Sequence, residues 1–270
     1  MTLLRLEETT LWCEVEGSGP RVLMIQGAGC AGSAWRPQIE ALRERYTIAW
    51  FDNRGVGQSA PLRERLTIEQ MAHDTRGLLD ALGWERAHVV GHSMGGLIAQ
   101  QVALDAPARV ESLALLCTFH RGAAAAALTW DKVWLGTRSK VGTAAMRRRA
   151  FLEMIVPPAR LAAMDVEAVS AAWRELFGHD LAAQPSVALK QVGAMGRHDI
   201  SARLGELPRV PTLIMSGARD VIAPAEQGRR LKAALPHARY IELEGEGHAV
   251  PIYDPALVNR PLEAHLRGGS

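Results

Sequence analysis

Apolar and polar positions along this chain follow two alternating rhythms. Leu3 to Leu6 and Leu11 to Val15 alternate with the two-residue period of half-buried strands and predict a hairpin. Val22 to Ile25 and Tyr46 to Phe51 are short continuous apolar runs, the mark of strands covered on both faces. Trp35 to Arg43 lies between them and reads as a helix, and Ile68 to Leu82 carries its apolar residues at helical spacing. The alternation continues with a strand from Ala87 to Val90, a helix from Leu97 to Ala106 stopped by Pro107, and a strand from Val110 to Cys117. It resumes later with strands Val210 to Ser216 and Tyr240 to Leu243 and helices Ala225 to Leu235 and Ala256 to Leu266. This order predicts an α/β fold, a mostly parallel sheet with helices on both faces.

The stretch 119–200 breaks the rhythm. It is rich in Ala, Met, Trp and Arg and shows no strand pattern. It reads as a helical cap inserted into a core made of residues 1–118 and 201–270. Such a cap lies over the carboxyl ends of the strands, the edge at which open α/β sheets bind ligands. Most of its large apolar side chains are expected to pack the cap itself. Trp130, Trp134, Phe151 and Trp173 are candidates for the roof of a substrate pocket. Arg147-Arg148-Arg149 reads as a solvated helix face.

Composition narrows the classes. The chain has 270 residues, 48% hydrophobic and 22% charged, as a soluble globular protein does. A net charge of +2 gives no strong attraction to nucleic acid or to an anionic membrane. No apolar stretch has the length of a membrane span, and Met1 to Thr10, with Glu7 and Glu8, lacks the apolar core of a signal peptide. A cytoplasmic protein is expected. Cys13, Cys30 and Cys117 are odd in number and far apart, which argues against a disulfide framework or a cysteine metal site. His88 and His92 straddle a strand and a turn rather than sharing a helix face, so no metal is expected.

The candidate chemistry begins at Gly91-His92-Ser93-Met94-Gly95, between the strand ending at Val90 and the following helix. A GxSxG at a strand–turn–helix junction puts a serine hydroxyl on a strained bend that substrate and base can both reach. The five-residue pattern is weak alone. Two further positions strengthen it. Asp220 follows the strand ending at Ser216, and His248 follows the strand ending at Leu243. Serine, acid and histidine thus occur in that order, each just past a strand end.

With these residues the chain resembles the α/β-hydrolase superfamily, nearly end to end. The likeness rests on Gly27 with Trp35, on Asp52-Asn53-Arg54-Gly55-Val56-Gly57-Gln58-Ser59, on Gly91 to Gly96, on Gly217 to Asp220 with Pro224, and on Gly247-His248. Small capped esterases and enol-lactone hydrolases are the nearest in kind. The resemblance implies Ser93 as nucleophile, His248 as base and Asp220 as orienting acid. It also implies an oxyanion hole from the backbone N–H groups of Ala28 and Met94. No cofactor is implied. The expected substrate is a small ester or lactone with an apolar part, and the expected state a monomer or homodimer. C–C bond, amide or carbamate hydrolysis and perhydrolysis use the same three residues and stay open. Gln26-Gly27 departs from the His-Gly of many relatives at the oxyanion turn.

Two rivals belong to other classes. Gly27-Ala28-Gly29-Cys30-Ala31-Gly32 is a literal GxGxxG after a strand, with Asp52 at the next strand end, as in dinucleotide-binding proteins. That reading leaves the placement of Ser93, Asp220 and His248 unexplained. A non-catalytic ligand receptor would also use this fold, but here all three catalytic positions are filled. Asp52 and Arg54 read as structural members of a tight loop.

Overall fold

Eight strands form one sheet in a computed structural model that describes residues 2–62, 65–123, 134 and 136–268. They are β1 (Thr2–Arg5), β2 (Thr10–Glu16), β3 (Arg21–Ile25), β4 (Thr47–Phe51), β5 (Ala87–His92), β6 (Val110–Leu116), β7 (Thr212–Gly217) and β8 (Arg239–Leu243). Their spatial order is β1-β2-β4-β3-β5-β6-β7-β8. The β1–β2 and β2–β4 pairs are antiparallel, and every other pair is parallel. The fold is the α/β-hydrolase fold.

The apolar runs form the centre of the sheet because both faces are covered. Leu23, Ile25, Val89, Leu113, Leu115 and Ile214 point into one core, packed by α2 (Ile68–Ala81) and α3 (Met94–Asp105). Val22, Met24, Val90, Ala114, Leu116 and Met215 point into the other, beneath α1 (Arg36–Leu42) and the final helix. This is the strand period of two expressed as two cores. The predicted helices fall within one residue of their expected ends. The helix after Val90 is the exception, starting at Met94 rather than Leu97. Gly95 and Gly96 read as turn residues in the sequence. They sit in the first turn of α3 because that turn is crowded, a Cβ on Gly95 falling 2.0 Å from the Ile25 carbonyl oxygen.

Between β6 and β7 the described chain folds as α4 (Ala144–Ile155), α5 (Pro158–Leu161), α6 (Val166–Phe177) and α7 (Ser186–Arg197). Side-chain caps start two of them. Thr143 accepts from Met146 N–H ahead of α4, and Asp165 accepts from the N–H groups of Glu167 and Ala168 ahead of α6. Left-handed Gly178 ends α6. Phe151, Leu152, Ile155, Trp173, Phe177 and Leu181 of this insertion form one apolar cluster, which Ala249 of the sheet domain joins. Three helices close the chain, α8 (Ala225–Ala234), α9 (Val250–Tyr253) and α10 (Pro255–Leu266). Among the described residues no helix is long and apolar enough to cross a membrane.

Buried His265 in α10 gives the fold an acid sensitivity. Burial lowers its pKa to about 4, whereas in the unfolded chain it titrates near its ordinary value of about 6.5. Between those values the unfolded state binds more protons. The stability contributed by neutral His265 is therefore complete above pH ~6.5 and is lost as the pH falls towards ~4, up to about 3 kcal/mol. The melting temperature of wild type, measured relative to His265→Phe, is expected to decline from pH 7 to pH 4. A constant difference across that range rules this out.

Candidate active site

Ser93 terminates β5 and begins α3 with φ 55° and ψ −120°. A non-glycine residue there carries roughly 1–3 kcal/mol of strain, which its neighbours must hold. They do so through the backbone. Ser93 N–H donates to the Leu116 carbonyl at 2.9 Å, and its carbonyl accepts from Gly96 N–H at 3.0 Å and from Thr118 Oγ1 at 2.6 Å. Gly91 permits the bend, since a Cβ there would lie 2.3 Å from the Gly95 carbonyl oxygen. The result is a serine lifted off the strand end, only 5% exposed.

Asp220 and His248 follow β7 and β8 and meet in space. Asp220 Oδ2 accepts from His248 Nδ1 at 2.7 Å, and Oδ1 accepts from the N–H groups of Ile222 and Ala223 at 2.8 Å each. Nδ1–H thus goes to Asp220 and leaves Nε2 for other work. The His248 loop is braced in turn. Gly247 N–H donates to Tyr253 Oη at 2.7 Å, Ala249 N–H donates to the Ile155 carbonyl at 2.9 Å, and Arg160 of the insertion pairs with buried Glu246.

The Ala28 turn lies against this site, an ideal Cβ on Gly27 coming within 3.1 Å of Ser93 Cβ. The backbone donors around Ala28 are taken. Gly27 N–H goes to Gln26 Oε1 (2.8 Å), Gly29 N–H to Gln191 Oε1 (2.7 Å), Cys30 N–H to the Gly27 carbonyl (3.5 Å) and Ala31 N–H to the Phe177 carbonyl (3.1 Å). Ala28 N–H has no acceptor among the described residues, and neither does Met94 N–H at the start of α3. Two open donors thus belong to residues beside Ser93.

Ser93, His248, Gln26, Gly27 and Ala28 line one cavity of about 620 Å³. The insertion supplies much of its wall, chiefly Phe151, Met154, Phe177, Leu189, Val192 and Met195. Of the four aromatic residues expected in the roof, Phe151 is there. Trp173 is buried instead, stacked on Phe177 with centroids 5.9 Å apart, and Trp134 is 65% exposed. Trp130 lies outside the described residues. Met154 and Phe177, which the sequence places among the large apolar residues of the cap, also line the cavity, whereas Leu189 and Val192 were missed. Their signal was helical spacing, since Phe151 and Met154 stand three apart on α4, and Leu189, Val192 and Met195 stand three apart on α7.

Arg147 also corrects the solvated-face reading of the arginine run. Arg148 pairs with Asp180 and Glu167, and Arg149 with Glu153. Arg147 instead donates to two carbonyls, Ala182 at 3.0 Å and Gly142 at 2.8 Å, and lines the cavity. The Asp52 loop is tied into the scaffold. Asp52 accepts from Gly32 N–H at 2.7 Å and Gln58 N–H at 2.9 Å, so both its oxygens are committed to backbone. Arg54 forms a buried bidentate pair with Asp74. His88 bonds Ser112 Oγ across neighbouring strands at 2.8 Å.

The model of the alpha/beta hydrolase fold family matches residues 20–255. The chain belongs to the α/β-hydrolase family. Curated relatives include proteins named "Putative carbamate hydrolase RutD". That of Variovorax paradoxus (strain S110) is 33% identical over 263 residues, covering 92% of this chain and 93% of the relative. That of Caulobacter vibrioides is 31% identical over 258 residues, covering 92% and 90%. Among solved structures, the enol-lactonase from Burkholderia xenovorans LB400 superposes with a TM-score of 0.83 at 26% identity, covering 98% of this chain and 100% of that one. A hydrolase from Pseudomonas aeruginosa PA01 gives 0.80 at 26% identity, covering 98% and 97%.

In this α/β-hydrolase, Gln26 takes on the organising work at the turn. Its Oε1 accepts from Gly27 N–H and faces His92 Nδ1 at 3.0 Å, while His92 Nε2 lies 3.0 Å from the His248 carbonyl oxygen. Burial lowers the His92 pKa to about 3, so the ring is neutral and has one proton to share between these two acceptors. His92 thus joins the serine elbow, the Ala28 turn and the His248 loop.

Proposed function

We propose that this protein is a serine hydrolase of carboxylic esters or lactones that works through an acyl-enzyme. The observation that carries the reading is the Asp220–His248 bond at 2.7 Å, with His248 and the strained Ser93 lining one cavity. Ser93 Oγ attacks the carbonyl carbon, and its proton passes to His248 Nε2. The oxyanion so formed accepts from Ala28 N–H and Met94 N–H, the two open donors, each worth about 10²–10³ in rate. Collapse breaks the C–O bond, and the leaving alkoxide takes the proton from His248. In a lactone the leaving oxygen stays tethered to the acyl group. Water, deprotonated by His248, then attacks the acyl carbon; the bond to Ser93 Oγ breaks, Oγ takes the proton back from His248, and the acid is released. The likeness to an enol-lactonase supports the lactone half of the reading.

A second reading, carbamate hydrolysis, draws on the relatives named for that activity. The same steps apply to a carbamate carbonyl, so substrates decide. The test is a panel of p-nitrophenyl esters from acetate upward, simple lactones and an aryl carbamate, with Ser93→Ala as blank. Serine-dependent turnover of esters or lactones above that of the carbamate is expected. Turnover confined to the carbamate replaces the first reading with the second. No turnover of any of them rejects both.

The cavity wall also sets a charge preference. Lys140 and Arg147 line it, and no aspartate or glutamate does so among the described residues. At an effective dielectric of about 20, a unit charge about 4 Å from a cation gains or loses a few kcal/mol. An ester whose acyl chain ends in a carboxylate is expected to exceed its trimethylammonium isostere in kcat/KM by at least about tenfold. Arg147→Met should shrink that ratio. Equal rates for the two isosteres reject the preference.

A further inference from the structure

The turn that carries Ala28 is gripped from two sides. On the core side, Gly27 N–H goes to Gln26 Oε1, the Gln26 carbonyl accepts from Asn53 Nδ2 at 3.1 Å, and Gly32 N–H goes to Asp52. On the other side every partner comes from the helical insertion. Gln191 Oε1 on α7 accepts from Gly29 N–H at 2.7 Å, and His179 Nε2 lies 3.1 Å from the Gly29 carbonyl oxygen. Two terminal carbonyls of α6 join in, Phe177 accepting from Ala31 N–H at 3.1 Å and Leu176 from Ser33 Oγ at 2.9 Å. A helix end leaves such carbonyls without internal partners, and here the turn supplies them.

Gln191 is fully buried, and its Nε2 has no acceptor among the described residues. Its oxygen is the part in use. Gly29 is left-handed, φ 74°, with α7 against it, an ideal Cβ falling 3.1 Å from Ala188 Cβ. The Gly27–Ala28 peptide is thus fixed at one flank by the core and at the other by α7.

We propose that Gln191, reinforced by His179, is a positioning residue for the oxyanion donor, so that docking of the insertion completes the hole as well as roofing the cavity. The inference rests on the serine-hydrolase reading, with Ala28 N–H as one donor. Gln191 touches no reacting atom. It holds Gly29 so that Ala28 N–H points where negative charge develops, an effect felt in the transition state and scarcely in the bound substrate.

The test is Gln191→Met, which keeps the length and removes the acceptor. On a p-nitrophenyl ester, kcat is expected to fall about 10–100-fold, with KM within about twofold. The variant exchanges one buried unpaired donor, Gln191 Nε2, for another, Gly29 N–H, so its melting temperature should stay within a few degrees of wild type. An aryl trifluoromethyl ketone, which adds to the serine and leaves an oxyanion, should lose affinity by the same factor as kcat/KM. The matching methyl ketone, used as the comparator bound without an adduct, should keep its affinity. Wild-type kcat in Gln191→Met overturns the proposal, as does an equal loss of both ketones. If Gln191→Met does not fold, His179→Phe carries the same measurements and outcomes. A wild-type protein that neither turns over the ester nor forms the ketone adduct overturns the hydrolase reading itself, a result separate from any on Gln191.

Discussion

Ser93→Ala is expected to remain folded and to lose about 10⁶ in kcat on any substrate of the proposed acyl-enzyme route, the size of loss when a serine nucleophile is removed from such a unit. The geometry explains both halves. Ser93 is held by its backbone, through Leu116, Gly96 and Thr118, and those bonds survive in alanine. The removed hydroxyl is the atom that would form the covalent bond. Ser93→Gly is the companion variant. Glycine accepts φ 55° without penalty, so its melting temperature should exceed that of Ser93→Ala while it is equally inactive. Circular dichroism melts and ester hydrolysis measure both. Retention of more than a few per cent of activity in Ser93→Ala, with the protein free of wild-type contamination, removes Ser93 as nucleophile.

Asp220→Asn is expected to cost about 10⁴ in kcat with the fold intact. Here the structure dictates which way the new amide faces. Oδ1 of Asp220 accepts two backbone N–H groups, from Ile222 and Ala223. An asparagine must keep its oxygen there, because its N–H₂ would meet two donors head-on. Its N–H₂ is then forced towards His248 Nδ1, which has to become the unprotonated nitrogen. The ring switches to the tautomer with the proton on Nε2 and no longer accepts one from Ser93. Near-wild-type kcat in this variant would falsify the assignment of Asp220 as the orienting acid. A large fall in melting temperature would point instead to damage at the β7 turn.

The parts of this site legible in the sequence are those that local chemistry encodes. The run Ala87 to Val90, the crowded glycines around Ser93 and the strand before Asp220 each state a local geometry. Chain order supplied the rest of the constellation. What stayed hidden was set by long-range packing. Trp173 and Phe151 lie in the same kind of apolar helix, and which of them faces the cavity depends on how α4 and α6 dock. Arg147 and Arg148 are adjacent in one arginine run, yet only Arg148 meets an aspartate, at position 180. Gln191 reaches Gly29 across 162 positions, a separation at which no pattern of residue types carries information.

The spatial order of strands has its own consequence. β3 sits between β4 and β5, so the chain leaves β3 for one neighbour and reaches the other only after β4 and α2. The helix after β3 packs on one face of the sheet and the helix after β5 on the opposite face. A crevice between the ends of those two strands is therefore a property of the winding. The Ala28 turn occupies one lip and Ser93 the other. On the proposed reading the place of reaction follows from topology, while the segment between β6 and β7 supplies much of the wall that would choose the molecule. If Gln191 positions the Ala28 turn as proposed, replacing that segment carries one condition. A foreign insertion grafted onto this sheet must bring its own acceptor to Gly29 N–H, or it will select a substrate that the sheet beneath cannot process.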